Sequence, residues 1–203
     1  MATAKGEHRK GVILDRARSV LIRDGFAKFT LRDVADAAGI SLGNLQYYFP
    51  SRDDLVASVI ETELAASFAI IEAVDWRDGD KRAQLHLLAH ALLTHLSGDA
   101  GKLHEITAFL ALNDARFQKL MDESYDRILE IARATLRKAL PAEANAQIPD
   151  RAEIIVALFE GALTRIHAQP SIMYGEARAA YIGRIIDAMF TFLGEPEKAG
   201  VVP

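Results

Sequence analysis

Apolar residues along this chain recur every three or four positions, and strict alternation is nearly absent. Between residues 7 and 24, Ile13, Ala17, Val20 and Leu21 fall at i, i+4, i+7 and i+8, which is one stripe of an amphipathic helix. Gly25 stands where a glycine closes a helix in the left-handed conformation. A start signal follows: Thr30 as N-cap, Asp33 at N3, and Phe29 and Val34 placed as a hydrophobic staple. That helix ends at the next closing glycine, Gly39. The same device then repeats twice. Ser41 caps with Asn44 at N3 between Ile40 and Leu45, and Ser51 caps with Asp54 at N3 between Pro50 and Leu55. The middle helix is only about two turns long. A long helix is predicted over 51–74, then others near 80–97, 101–112, 114–140, 150–168 and 176–193. The breaks between them carry Gly, Pro and Asn/Asp, as in "WRDGD", "SGDAG" and "PAEANAQIP". Residues 1–6 and 195–203 read as frayed tails. No run of four alternating β-branched residues is bounded by turns, so the fold class is all-α with about nine helices.

The short segment "AGISLGNLQYYFPSRDDL" needs a reason, because a stable core does not require a two-turn helix between two caps. Two short helices joined at a glycine make a helix-turn-helix, whose second helix enters the DNA major groove. Its exposed edge would offer Ser41, Gly43, Asn44, Gln46 and Tyr47, and its buried edge Ile40, Leu45, Tyr48 and Phe49. Asn and Gln pair with adenine, and Ser with several base edges. Glycine permits close approach, and Tyr47 can donate to a phosphate. The helix starts at Thr30 and Ser51 direct free N–H groups and positive dipole ends outward, suited to phosphates, and Arg52 adds a full charge. The expected DNA-binding set is Thr30, Arg32, Ser41, Leu42, Gly43, Asn44, Gln46, Tyr47 and Arg52. On periodicity alone, a plain all-α core with short capped helices stays open as the alternative.

The charge balance refines this picture. The 203 residues carry 24 Lys+Arg and 28 Asp+Glu, a net charge of −4, which argues against nucleic-acid binding along the whole length. Residues 1–55 hold nine basic and seven acidic residues, and the remainder is acidic, so the N-terminal part alone can approach an anion. There is no cysteine, which removes disulfides, thiolate metal sites and a cysteine nucleophile and fits a reducing cytoplasm. No apolar run follows the first basic residues, so no secretory leader is expected. No stretch approaches the roughly 18 apolar residues of a membrane span.

Residues 30–55, "TLRDVADAAGISLGNLQYYFPSRDDL", resemble the DNA-binding domain of the TetR family of bacterial transcriptional regulators, and "GVILDRARSVLIRDGF" resembles the family's first helix. The family run is a cap Thr, a turn bearing Ala and Gly, then S-x-G-x-L-Y-x-H-F and a Lys-bearing helix start. Thr30, Ala35, Gly39, Ser41, Gly43, Leu45 and Phe49 stand at the matching places. Gln46 replaces the usual Tyr, Tyr48 the usual His and Arg52 the usual Lys, which leaves the role of Gln46 between base and phosphate. The resemblance covers about a quarter of the chain closely.

The resemblance implies a helix-turn-helix domain at 1–50 and a larger helical ligand-binding and dimerisation domain at 51–203. It implies a homodimer reading an inverted-repeat operator in double-stranded DNA, and a repressor released by a small, largely apolar effector. It also makes the helix at 51–74 the lever between DNA and ligand. The apolar segments "IIVALFEGALTRI" and "AAYIGRIIDAMFTFL" match the family's dimer helices, with Ala157, Gly161, Ala180 and Gly183 permitting close approach. The alternative for these four is that they close the monomer's own core. Trp76, His90, Phe109, Met121, Tyr125 and Phe159 are the large or polar-tipped candidates for the effector pocket, each also readable as ordinary core.

Other motifs carry less. His86 and His90 are four apart on one helix, a metal-binding spacing, but they lack the companion Glu and a third ligand. "GISLGN" lacks the strand of a nucleophile elbow, and "GDAGK" lacks the spacing of a phosphate loop. No enzyme, cofactor, metal or membrane role is expected, and the location expected is cytoplasmic. The rival readings are an activator or nucleoid-organising protein of the same fold, a helical ligand-binding or protein-interaction module that no longer reads DNA, and an all-α enzyme, against which the absence of any catalytic constellation argues.

Overall fold

A computed structural model describes residues 4–140 and 146–194. Among them are nine α-helices and no strand: α1 Ala4–Asp24, α2 Leu31–Ala38, α3 Leu42–Tyr48, α4 Arg52–Glu72, α5 Lys81–Leu96, α6 Asp99–Ala111, α7 Ala115–Ala139, α8 Ile148–Ala168 and α9 Gly175–Gly194; a 3₁₀ turn at Phe26–Lys28 follows α1. The all-α reading therefore holds, and each predicted helix lies within a few residues of an observed one. Residues 4–6, expected as tail, are already the first turn of α1. The expected tail at 195–203 and most of the expected break near 141–149 lie outside the described residues.

The helix boundaries follow their caps. The Thr30 and Ser41 hydroxyls accept from the amides of Asp33 and Asn44 at 3.2 Å each. Asp80, which opens α5, accepts from the Arg82 and Ala83 amides. Gly39 is left-handed at φ 65°, ψ 38°, and Ile40 N–H reaches back to Ala35 C=O at 3.0 Å, which satisfies the end of α2. Gly25 departs from the expected left-handed geometry. Its φ is 74° but its ψ is 164°, a region essentially reserved for glycine. The chain leaves α1 there in an extended step and passes into the 3₁₀ turn.

The helices form two compact units. The first takes the described residues up to Ala69 together with Gly98–Ser124; the second takes Ile70–Ser97 and the described residues from Tyr125 onward. In the first unit the α1 stripe Ile13, Ala17, Val20 and Leu21 is 0–1% exposed and packs with Val34, Leu45, Phe49, Leu55 and Phe117. Removing each of the large side chains from water contributes about 1.5–3 kcal/mol. The second unit is built on α5, α8 and α9. Leu93, Ile148, Ala152, Ile186 and Met189 are its most deeply buried residues. No helix among the described residues is long and apolar enough to cross a membrane.

Candidate nucleic-acid interface

The short helix α3 is held from one side only. Leu45 and Phe49 are 0% and 2% exposed, and Ile40 and Tyr48 pack partly against the same core. Ser41, Gly43, Asn44, Gln46 and Tyr47 are all exposed, and Leu42 is half-buried. Tyr47 is 82% exposed, with its ring edge-on to Tyr48 at 5.3 Å. The alternation follows from helix geometry: in a helix anchored at residues 45 and 49, residues 43, 44, 46 and 47 turn outward. A Cβ at Gly43 would meet nothing within 4 Å, so the backbone is open to a close partner there. The outward groups are small or polar, bear no charge, and combine donors with acceptors.

Around this helix the cations are unevenly committed. Thr30 and Arg32 are exposed. Lys10 of α1 lies over the Phe49 ring at 5.8 Å, beside the end of α3. Arg52 is half-buried, with its guanidinium 3.9 Å from the Phe26 ring centroid and its Nε 3.6 Å from Asp53. Position 52 thus packs a cation on an aromatic face as well as presenting it. Carboxylates already occupy the capped starts of α2 and α4. Asp33 accepts from the Thr30 hydroxyl, and Asp54 accepts from both the amide and the hydroxyl of Ser51. Those acids partly neutralise the positive helix ends, and Arg32 and Arg52 are the full positive charges in the first turns of α2 and α4.

Around α3, sequence reasoning missed two features. The Lys10 placement depends on how α1 packs, and nothing local signals it. The other is an ion pair of Arg116 with Asp54 at 2.6 Å, between residues 62 apart in sequence.

The six effector candidates do not share one surrounding. Phe109 and Met121 belong to the first unit, and Trp76, His90, Tyr125 and Phe159 to the second. Met121 is buried, whereas Phe109 is 62% exposed. Trp76 and Phe159 pack partly against the second core. His90 is exposed, with Nδ1 3.4 Å from the Thr94 hydroxyl. Tyr125 donates to the Glu160 carboxylate in a half-buried pair. Glu160 was not singled out, although it is the one acid within the apolar stretch 154–166. Ala157, Gly161 and Ala180 are exposed and Gly183 is half-buried, and none of the four belongs to the second core. A Cβ at either glycine would meet nothing within 4 Å, and Ile154 on the same helix is 48% exposed. No three His, Asp or Glu side chains gather into a metal-binding group among the described residues.

Comparison with known proteins places this geometry. Residues 13–59 match the family of bacterial regulatory proteins of the tetR type. Residues 81–191, more than half of the chain, match the C-terminal domain of BetI-type transcriptional repressors. The HTH-type transcriptional regulator YfiR of Bacillus subtilis is 36% identical over 58 residues, 29% of this chain and 28% of that one. The match therefore spans under a third of that relative's length. The nucleoid occlusion factor SlmA of Escherichia coli is 26% identical over 167 residues, covering 80% of this chain and 84% of that one. The crystal structure of a TetR transcription regulator from Haloarcula marismortui superposes with a TM-score of 0.73 at 20% identity, over 90% of this chain and 98% of that one. With both its N-terminal and its C-terminal segments matched in order, the chain belongs to the TetR family of bacterial regulatory proteins.

Proposed function

We propose that this chain is a homodimeric, sequence-specific DNA-binding regulator, a repressor that leaves an inverted-repeat operator when a small, largely apolar effector binds. One observation carries the reading. Helix α3 turns Ser41, Gly43, Asn44, Gln46 and Tyr47 to solvent while Leu45 and Phe49 lock it to the core at 0% and 2% exposure. Asn44 and Gln46 would read base edges and Ser41 would assist them. Gly43 would allow the approach, and Leu42 would supply apolar contact to a thymine methyl. Thr30, Arg32, Tyr47 and Arg52 would fix the register on phosphates.

In this reading residues 1–50 read DNA, and residues 51–203 bind the effector and pair the subunits. Ala157, Gly161, Ala180 and Gly183 would let two copies of α8 and α9 approach closely, and the open space at the two glycines and the exposure of the two alanines in a single chain support that role. Two-fold pairing matches a two-fold operator. Effector and operator weaken one another reciprocally, because each selects a different member of one conformational equilibrium. Of the six pocket candidates, Trp76, His90, Tyr125 and Phe159 fall in the second unit and are retained, with Glu160 added as the partner of Tyr125, whereas Phe109 and Met121 fall in the first. The chain acts in the cytoplasm, without catalysis, cofactor or metal. The match to the nucleoid occlusion factor SlmA across 80% of the chain favours a second reading, a nucleoid-associated DNA-binding protein.

The test is selection from a random duplex library at near-physiological salt. Recovery of one inverted repeat supports the repressor reading. A loose motif recurring at many genomic positions favours the nucleoid reading, and recovery of no motif refutes sequence-specific reading by α3.

A further inference from the structure

Asp54 uses its two carboxylate oxygens for different tasks. Oδ2 accepts from the Ser51 amide at 3.1 Å and the Ser51 hydroxyl at 2.6 Å, while the Asp54 amide donates to the Ser51 hydroxyl at 3.1 Å. That is a complete capping box at the start of α4. Oδ1 accepts from Arg116 at 2.6 Å. Arg116 lies in the first turn of α7, and its own amide donates to Asp114 at 2.8 Å. The next residue, Phe117, is 1% exposed and meets the Phe26 ring edge-to-face at 6.4 Å. Arg52 caps the Phe26 ring at 3.9 Å. The first turn of α7 therefore grips the start of α4 twice: Arg116 through Asp54, and Phe117 through Phe26 to Arg52. Only residues 49–51 separate α4 from the end of α3. The residue that opens this stretch, Phe49, is also a core anchor of α3.

We propose that Arg116 is a positioning residue for DNA reading: through Asp54 it locks the capping box that joins α3 to α4 and so fixes the angle at which α3 is presented. The proposal rests on the DNA-reading function above. The Arg116 guanidinium is turned to Asp54. Ser51 first, and Arg116 after it, hold the Asp54 carboxyl below the ordinary aspartate range, so the pair is fully charged at neutral pH. An ion pair at this exposure is a modest lock, worth a factor of about 2 to 5 in an equilibrium. A factor of that size falls on specific binding, which depends on the presentation angle. Non-specific binding depends on charge alone, so the double variant, which removes both charges of the pair, leaves it unaffected.

The test compares the full-length protein with Arg116→Ala, Arg116→Lys, Asp54→Asn and the double variant Arg116→Ala/Asp54→Asn. Operator and random-duplex affinities are measured against salt, and amide hydrogen exchange is followed in the DNA-free protein. Expected are a 2- to 5-fold loss of operator affinity relative to random-duplex affinity in Arg116→Ala, an unchanged salt slope, unchanged random-duplex affinity in the charge-balanced double variant, and partial rescue by lysine. The double variant should be no worse than the poorer single variant. Exchange at Asp54 and Leu55 should quicken by a similar factor. Additive losses, or a salt slope lower by about one, would overturn the proposal, the latter by making Arg116 a phosphate ligand. If the wild type binds no operator, the DNA reading fails, and the exchange data decide the lock by themselves: unchanged protection at Asp54 and Leu55 refutes it.

Discussion

Gly39→Ala isolates what the turn between α2 and α3 requires. Gly39 is left-handed at φ 65°, ψ 38°, and a Cβ built there meets no atom within 4 Å. No clash with a neighbour contributes, so the cost is that of the backbone conformation alone. A non-glycine L-residue in this region costs about 1–2 kcal/mol. Alanine also restricts the unfolded chain, which offsets about 0.4–1 kcal/mol. The net destabilisation is about 1 kcal/mol, or a fall in midpoint of about 2–4 °C for a chain of this length. Gly39→Asn, which tolerates the left-handed region, should lose less than half as much. The assay is urea unfolding followed by circular dichroism, with heat melts as a check. Alanine equal to glycine, or asparagine no better than alanine, would refute the assignment of the cost to φ. A drop far above 2 kcal/mol would point to a packing role that the open surroundings of Gly39 do not supply.

Four further outcomes are expected. Asn44→Ala should relax base preference at one half-site position, costing about 1–3 kcal/mol of discrimination while leaving random-duplex affinity near wild type; equal weakening on all sequences would make it a backbone contact. Arg52→Ala should lower the salt slope by about 0.9 and, through the lost stacking on Phe26, destabilise the fold by about 0.5–1 kcal/mol; an unchanged slope would show that it touches no phosphate. Gly161→Glu should yield monomers by light scattering without lowering helicity, since a side chain there meets nothing in the single chain, and a surviving dimer would put the interface elsewhere. The Asp54 carboxyl, held low by Ser51 and Arg116, should titrate by NMR below the ordinary aspartate value of about 3.9 and move part of the way back in Arg116→Ala. A depressed carboxyl contributes stability above its unfolded pKa and loses it as pH falls through the folded one. A titration that stays put on removing Arg116 would deny the coupling.

Much of this protein was legible because its signals are local. A cap, its N3 partner and the flanking apolar pair lie within six residues, so Thr30, Ser41 and Ser51 marked three helix starts before any packing was known. The Ile13, Ala17, Val20 and Leu21 stripe named its own buried face, because helical periodicity converts sequence spacing directly into direction. The same rule turned Asn44, Gln46 and Tyr47 outward once Leu45 and Phe49 were taken as anchors. Gly25 shows where local reading stops: a glycine after a helix signals an exit from the helix, but ψ is set by where Phe26 and Phe29 must pack, and that took the extended step rather than the left-handed one. Large and aromatic residues likewise carry no address. Phe109 and Phe117 are both phenylalanines in neighbouring helices, yet one is 62% and the other 1% exposed. The pairing of Asp54 with Arg116, the seat of Arg52 on Phe26 and the half-buried Tyr125–Glu160 contact were decided only by tertiary packing. Each joins positions 26 or more residues apart, beyond the reach of any helical or turn periodicity, and came into view only when the helices were laid against one another.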